Sequence, residues 1–141
     1  MKALSSIQNH EIKKLRLLFQ KTKERKKQSL FVIEGEREIE KALKGGYLLE
    51  SIFIHEAAEH SFEIIISQSE VSNVFLLTSS IFERLSIRSG SEKIIAIAQN
   101  KTHKLEDLIL NETSIILVIE APEKPGNIGA IFRTAAAAKM D

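Results

Sequence analysis

The chain has no cysteine and no tryptophan, only two prolines and six glycines, and seven phenylalanines and one tyrosine as its whole aromatic content. Without cysteine there is no disulfide framework and no thiolate metal site, a composition compatible with an intracellular setting. The four histidines, His10, His55, His60 and His103, lack the i, i+4 spacing of a zinc-binding helix and have no clustered carboxylates beside them, so no metal is expected. No apolar run approaches the roughly 20 residues of a membrane span, and Met1-Lys-Ala-Leu-Ser-Ser6 lacks a signal-peptide core. A soluble, cytoplasmic protein with no membrane partner is the expectation. Also missing are the Gly-x-Ser-x-Gly elbow of many hydrolases, the Gly-x-x-x-x-Gly-Lys-Ser loop and the Gly-x-Gly-x-x-Gly turn, which disfavours a hydrolase triad, a P-loop and a standard dinucleotide site. The aromatic residues are spaced like core residues, with no paired motif that would form a stacking platform.

What is present is enough for a folded core: 141 residues with 43% apolar composition. The net charge of +1 hides an asymmetry, +7 over residues 1–27 against −6 over residues 28–141. Lys13, Lys14, Arg16, Lys21, Lys23, Arg25, Lys26 and Lys27 crowd one helix and its exit, the pattern of a phosphate-contacting surface. A solvated amphipathic helix is the alternative, because Ile12, Leu15, Leu18 and Phe19 form an apolar stripe on the same segment.

Leu30-Phe-Val-Ile33 reads as a short buried strand, and Glu34-Gly35-Glu36-Arg37 leads into a helix with Ile39, Ala42 and Leu43 on one face, ended by Gly45-Gly46. Ser51 to His55 and Val74 to Thr78 read as further strands around a helical stretch from about Ala57 to Gln68, in which Ile64-Ile-Ile66 is equally acceptable as strand. Ser80-Ile-Phe-Glu83 has the capping-box pattern opening a helix through Leu85. A turn at Ser89-Gly-Ser91 then precedes a strand at Ile94 to Ala98. The resulting β-α-β-α-β-α-β order predicts a compact three-layer α/β/α domain over residues 1–99. A polar linker follows over 100–113, with a helical turn at Leu105 to Leu110.

Both prolines fall in the last segment, 114–141. Ile115-Ile-Leu-Val-Ile119 is continuously apolar and β-branched, as a strand buried in a parallel sheet requires. Pro122, Pro125 and Gly126 break it, Asn127 is a plausible N-cap, and Ile128 to Met140 reads as an alanine-rich helix. This is half of a βαβ unit, and the strand that would pair with Ile115–Ile119 is not in these residues.

Glu120, Pro125, Asn127, Gly129, Arg133, Thr134 and Ala135 match, at fixed spacing, the first motif of the SpoU/TrmH-type RNA 2′-O-ribose methyltransferases, which the segment therefore resembles. The Phe-Val-Ile strand followed by Glu-Gly-Glu-Arg resembles the corresponding turn of that family's amino-terminal substrate-binding domain. The resemblance implies a substrate domain with the fold of ribosomal proteins that bind kinked RNA, followed by the first strand and helix of a truncated SPOUT α/β knot. It implies structured ribosomal or transfer RNA as partner and a homodimer in the full-length form. S-adenosylmethionine is the implied cofactor of the complete protein, bound by two carboxy-terminal motifs that these residues do not contain. Arg133 carries over as the catalytic residue, either as a base assisted by the target phosphate or as a phosphate clamp that stabilises the developing alkoxide. Asn127 and Glu120 carry over to the rim of the active site, against the simpler roles of helix cap and strand end. Glu34 and Arg37 are open between structural pairing and RNA contact. The expected function is thus the amino-terminal part of an RNA ribose methyltransferase. Its alternatives are a non-catalytic RNA-binding fragment, or a nucleotide-binding α/β domain cut short that leaves the basic arm unexplained.

Overall fold

A computed structural model describes residues 1–86 and 92–140 of the 141. It divides into two compact units, Met1–Thr102 and His103–Asp141.

The first unit is an α/β/α sandwich. Its sheet contains β1 (Lys2–Leu4), β2 (Leu30–Glu34), β3 (Leu49–His55), β4 (Val74–Leu77) and β5 (Ile94–Gln99), in spatial order β1-β4-β3-β5-β2. β1, β4 and β3 pair in parallel, while β5 is antiparallel to both β3 and β2. β5 is therefore the one strand of this sheet that runs against the rest. The helices are α1 (His10–Gln20), α2 (Thr22–Gln28), α3 (Glu36–Lys44), α4 (Glu63–Ser69) and α5 (Ser79–Leu85). Strand alternation sorts the core into two layers. Phe53, Phe75, Leu77, Ile95 and Ile97 pack with Ile12, Leu15 and Leu18 of α1 and Ile81, Phe82 and Leu85 of α5. Ile52, Ile54, Val74, Ile94, Ala96 and Ala98 pack on the other face with Ile39 of α3 and Ile65 of α4.

Several local expectations are refined. The Ile64–Ile66 ambiguity resolves as helix: Phe62 and Ile65 are buried and Ile66 packs against the same core, the i, i+3, i+4 spacing of one helix face, while Ile64 is exposed. β1 is too short to be read from its own sequence and exists through its pairing with β4. α3 ends in a Schellman arrangement, Tyr47 N–H to Ala42 O at 2.9 Å and Gly46 N–H to Leu43 O at 2.8 Å, with Gly46 at φ +70°. The capping box expected at Ser80 and Glu83 does not form. α5 starts two residues earlier, with Thr78 as N-cap and Ser79 as its first residue, and a carboxylate from elsewhere serves its first turn: Glu56 Oε1 accepts from Ser79 N–H at 2.8 Å and from Ser79 Oγ at 2.7 Å. The Ser89–Ser91 turn lies outside the described residues.

In the second unit a 3-10 turn at Leu105–Asp107 precedes a stretch without regular secondary structure, and α6 spans Pro125–Ala137. Ile115–Ile119 enters no ladder among the described residues, and Ile115 to Val118 are exposed. An apolar β-branched run becomes a strand only when a neighbour accepts its backbone hydrogen bonds. Ala121, at φ +41°, turns the chain toward α6. The helix opens at Lys124 with Pro125 in its first position, where a missing N–H costs nothing. Asn127 is the third residue of the helix, which corrects its reading as N-cap.

Candidate nucleic-acid interface

α1 is set by Asn9, whose side chain accepts from Glu11 N–H at 2.8 Å, and by the complete burial of Ile12, Leu15 and Leu18. Burying that stripe turns Lys13, Arg16 and Gln20 to solvent. The exit expected after the basic helix is itself a helix: Lys21, whose extended backbone ends α1, precedes α2. α2 buries no residue at all, so Lys23, Lys26 and Lys27 stand exposed. Arg37, in the first turn of α3, is exposed as well.

Two of the expected cations are engaged within the fold. Lys14 pairs with Glu50 of β3. Arg25 folds back on α1: Nη1 donates to the carbonyls of Leu18 at 2.7 Å and Phe19 at 3.1 Å, and Nη2 donates to Thr22 Oγ1 at 2.8 Å. Terminal helix carbonyls lack intrahelical partners, so this guanidinium closes the end of α1 and fastens α2 to it.

The strand directions decide what lies nearby. β2, β3 and β4 end on the edge of the sheet where β5 begins, and Gly35 N–H donates to Ile94 O at 3.0 Å while His55 N–H donates to Lys93 O at 2.9 Å. Glu34 accepts from the Ser86 hydroxyl there, a structural engagement for one of the two residues left open above. Gly35 is at φ +111°, a backbone conformation that side chains with a Cβ rarely adopt, so the turn into α3 favours glycine. The Glu56 carboxyl on the same edge is held below its ordinary range, first by the Ser79 hydroxyl and then by the Ser79 N–H.

Arg84 was not anticipated. It is exposed in the last turn of α5 and shares a 250 Å³ cavity with Arg16, Phe19 and Gln20 of α1 and with Leu85 and Ser86. The acidic balance of residues 28–141 concealed it. Its signal was positional: Ile81, Phe82 and Leu85 are the buried face of α5, which leaves Arg84 outward. No group of three or more His, Cys, Asp or Glu residues suited to a metal occurs among the described residues, and no described helix is long and apolar enough to cross a membrane.

In the second unit Glu120, Asn127 and Arg133 are all exposed. Arg133 lies one turn after Gly129, and a Cβ at position 129 would sit 3.4 Å from Arg133 Nη1. Among the described residues no hydrogen bond or ion pair joins Arg133 to Asn127 or Glu120. Nothing surrounds Gly126 within 4 Å of where its Cβ would be.

Residues 9–96 match a family model described as the MRM3-like substrate binding domain. The chain belongs to this family. It is 30% identical over 142 aligned residues to the 23S rRNA (guanosine(2553)-2′-O)-methyltransferase RlmP of Bacillus subtilis, an alignment covering 100% of this chain and 53% of that protein. A crystal structure of an RNA 2′-O ribose methyltransferase matches with a TM-score of 0.76 at 33% identity, covering 98% of this chain and 53% of its own. An rRNA methyltransferase from Sinorhizobium meliloti shares the fold, with a TM-score of 0.85 at 22% identity over 99% of this chain and 52% of its own. Its AdoMet-bound form gives a TM-score of 0.77 at 20% identity. This MRM3-like chain thus spans about half the length of the relatives it matches, and its resemblance to SpoU/TrmH-type methyltransferases extends along nearly all of it.

Proposed function

We propose that these residues hold the RNA substrate of an S-adenosylmethionine-dependent RNA 2′-O-ribose methyltransferase that modifies ribosomal or transfer RNA in the cytoplasm. In this reading residues 1–99 bind RNA, 100–113 link, and 114–141 begin a SPOUT catalytic domain whose full-length form is a homodimer. One observation carries the proposal. A domain matched to a substrate-binding family turns Lys13 and Arg16 of α1, Lys21 at the junction and Lys23, Lys26 and Lys27 of α2 to solvent, with the apolar stripe of α1 buried beneath and no apolar residue in α2. Unpaired cations in such an array neutralise phosphates and release counterions. Lys14 and Arg25 support the surface from within the fold, and Arg37 extends it.

The second unit does not by itself fit S-adenosylmethionine. Gly126 faces open space, Asn127 and Arg133 are exposed, and Ile115–Val118 lie uncovered, so no walls stand around an adenosine or a sulfonium. No step is therefore derived through the cofactor. What these residues supply is the planar donor fork of the Arg133 guanidinium. It suits holding the phosphate beside the target ribose and stabilising the alkoxide that develops at the 2′-oxygen. The alternative, base action by Arg133 assisted by that phosphate, requires the guanidinium to be surrounded by groups that lie outside these residues. Asn127 orients the ribose, and Glu120 pairs with Arg133 once both are enclosed. The same openness favours one second reading, in which the 141 residues bind RNA without methylating it.

The test is titration of the 141-residue chain with rRNA-derived hairpins at several salt concentrations. The expected result is a log–log affinity slope steeper than about −3, since each neutralised phosphate contributes roughly −0.7 to −0.9. Calorimetry with S-adenosylmethionine and a tritium-transfer assay on the same sample should both be negative. Salt-independent or absent RNA binding refutes the RNA reading, and methyl transfer by this chain refutes the division of labour.

A further inference from the structure

Two cavities meet at Phe19, and they differ in charge. The first, 250 Å³, has Arg16, Gln20 and Arg84 on its walls and no carboxylate. The second, 460 Å³, runs along the open edge of β2 between Leu18, Phe19 and Val32, with Arg25, Glu34 and Glu38 also lining it. Arg16, Phe19 and Gln20 are spaced i, i+3, i+4 on α1 and so share one face of that helix. Arg84 reaches them from α5 only because both helices pack on the same side of the sheet. Among the described residues neither Arg16 nor Arg84 is ion-paired with a carboxylate. Two like charges bordering one concavity repel, and an anion with several acceptor oxygens relieves that repulsion while matching the planar donor forks.

Resting on the RNA reading above, we infer that Arg16 and Arg84 clamp the phosphate of a single unpaired nucleotide whose base lies across Phe19 in the neighbouring cavity. Charge fixes the orientation. Glu34 and Glu38 make the second cavity hostile to phosphate, whereas the first is lined by two guanidiniums, the Gln20 amide and the Ser86 hydroxyl, with no carboxylate on its walls. The 460 Å³ cavity lies within the roughly 300–1,000 Å³ of ligand-sized pockets. Its walls are apolar on the α1 side, where the half-buried Phe19 presents a ring to a base. Aromatic rings accept any base, since every base has a π-face. A base stacked and paired inside an A-form duplex cannot enter, so the site selects RNA with a bulged or looped-out nucleotide.

The experiment compares two RNA hairpins of equal length, one fully paired and one carrying a single-nucleotide bulge, each titrated with the 141-residue chain. The bulged RNA is expected to bind about tenfold tighter, a factor within the range that loss of one stacked base produces. Arg16→Gln combined with Arg84→Gln should remove that preference and flatten the salt slope for the bulged RNA by about one phosphate, roughly 0.7. Phe19→Leu should remove the preference and leave the salt slope unchanged; thermal unfolding verifies that both variants are folded. Because Phe19 touches the core, the surface pair Arg16 and Arg84 decides the matter if Phe19→Leu is unstable. Equal binding of both RNAs overturns the nucleotide site and leaves the RNA reading standing. A preference that survives the double arginine variant overturns the assignment to this groove. Binding of neither RNA overturns both.

Discussion

Ile94-Ile-Ala-Ile-Ala98 and Ile115-Ile-Leu-Val-Ile119 are both five-residue apolar runs that open Ile-Ile, and they meet opposite fates. The first is the buried strand β5, with β3 on one side and β2 on the other. In the second, Ile115, Ile116, Leu117 and Val118 are 54%, 52%, 42% and 84% exposed and belong to no ladder among the described residues. Composition equips both runs to be strands. Only the presence of neighbouring backbone makes one of them a strand, because a sheet is a relation between segments and not a property of either.

The sharpest way to break this comparison is hydrogen exchange. Amides of Ile94–Ala98 should exchange at least about a thousandfold more slowly than those of Ile115–Ile119, reflecting global against near-zero local stability. Comparable protection of both runs in a monomer would show that the second unit is covered after all. A matched pair of substitutions asks the same question in energy. Ile95→Ala should cost about 2–5 kcal/mol in denaturant unfolding, while Ile116→Ala should stay within about 0.5 kcal/mol. If the two variants are destabilised alike, the contrast is lost.

Smaller effects sharpen the picture inside the first unit. Arg25→Ala should lower stability by about 1–2 kcal/mol, because two carbonyls at the end of α1 lose a charged donor. Arg25→Lys should recover only part of that, since a single ammonium cannot reproduce the fork. Ser51 offers the opposite sign. Its hydroxyl is buried without a hydrogen-bond partner among the described residues, where β3 shifts register against β5, so Ser51→Ala should stabilise by about 1 kcal/mol. The smallest effect is tied to pH. The Glu56 carboxyl is held below its ordinary value of 4.5 by Ser79, so its contribution is complete above that value and disappears as pH falls through the lowered one. The difference in melting temperature between wild type and Glu56→Ala should therefore be constant above pH 5 and shrink steadily in more acid solution.

How much was legible follows the same division. Periodicity located β2, β3, β4, β5 and the helix with Ile39, because each buries a face whose pattern is local. It could not find β1, three residues whose pairing with β4 is the only evidence of a strand. It misplaced the start of α5, because the capping carboxylate comes from Glu56 and the spacing of Ser80 and Glu83 mimicked a local solution. Asn127 was misread for a related reason: asparagine is a good cap, but Pro125 two residues earlier already fits the first turn and pulls the helix start back. Among the candidate site residues, charge alone singled out Lys13, Arg16 and the lysines of α2. Charge could not show that Lys14 and Arg25 would be drawn into the fold, or that Arg84 would arrive beside Arg16, because both outcomes depend on packing between distant segments.

α2 contributes charge and no core, and this bears on how the protein can change over generations. Substitutions at Lys23, Lys26 and Lys27 meet no packing constraint, so the pattern of positive charge offered to a polyanion can drift without threatening the fold. Arg25 is the fixed point of that otherwise editable segment, since its guanidinium is what ties the helix down. Related chains are therefore expected to vary freely in the lysines around an arginine that stays, and a lineage can retune its positive surface while leaving its architecture untouched.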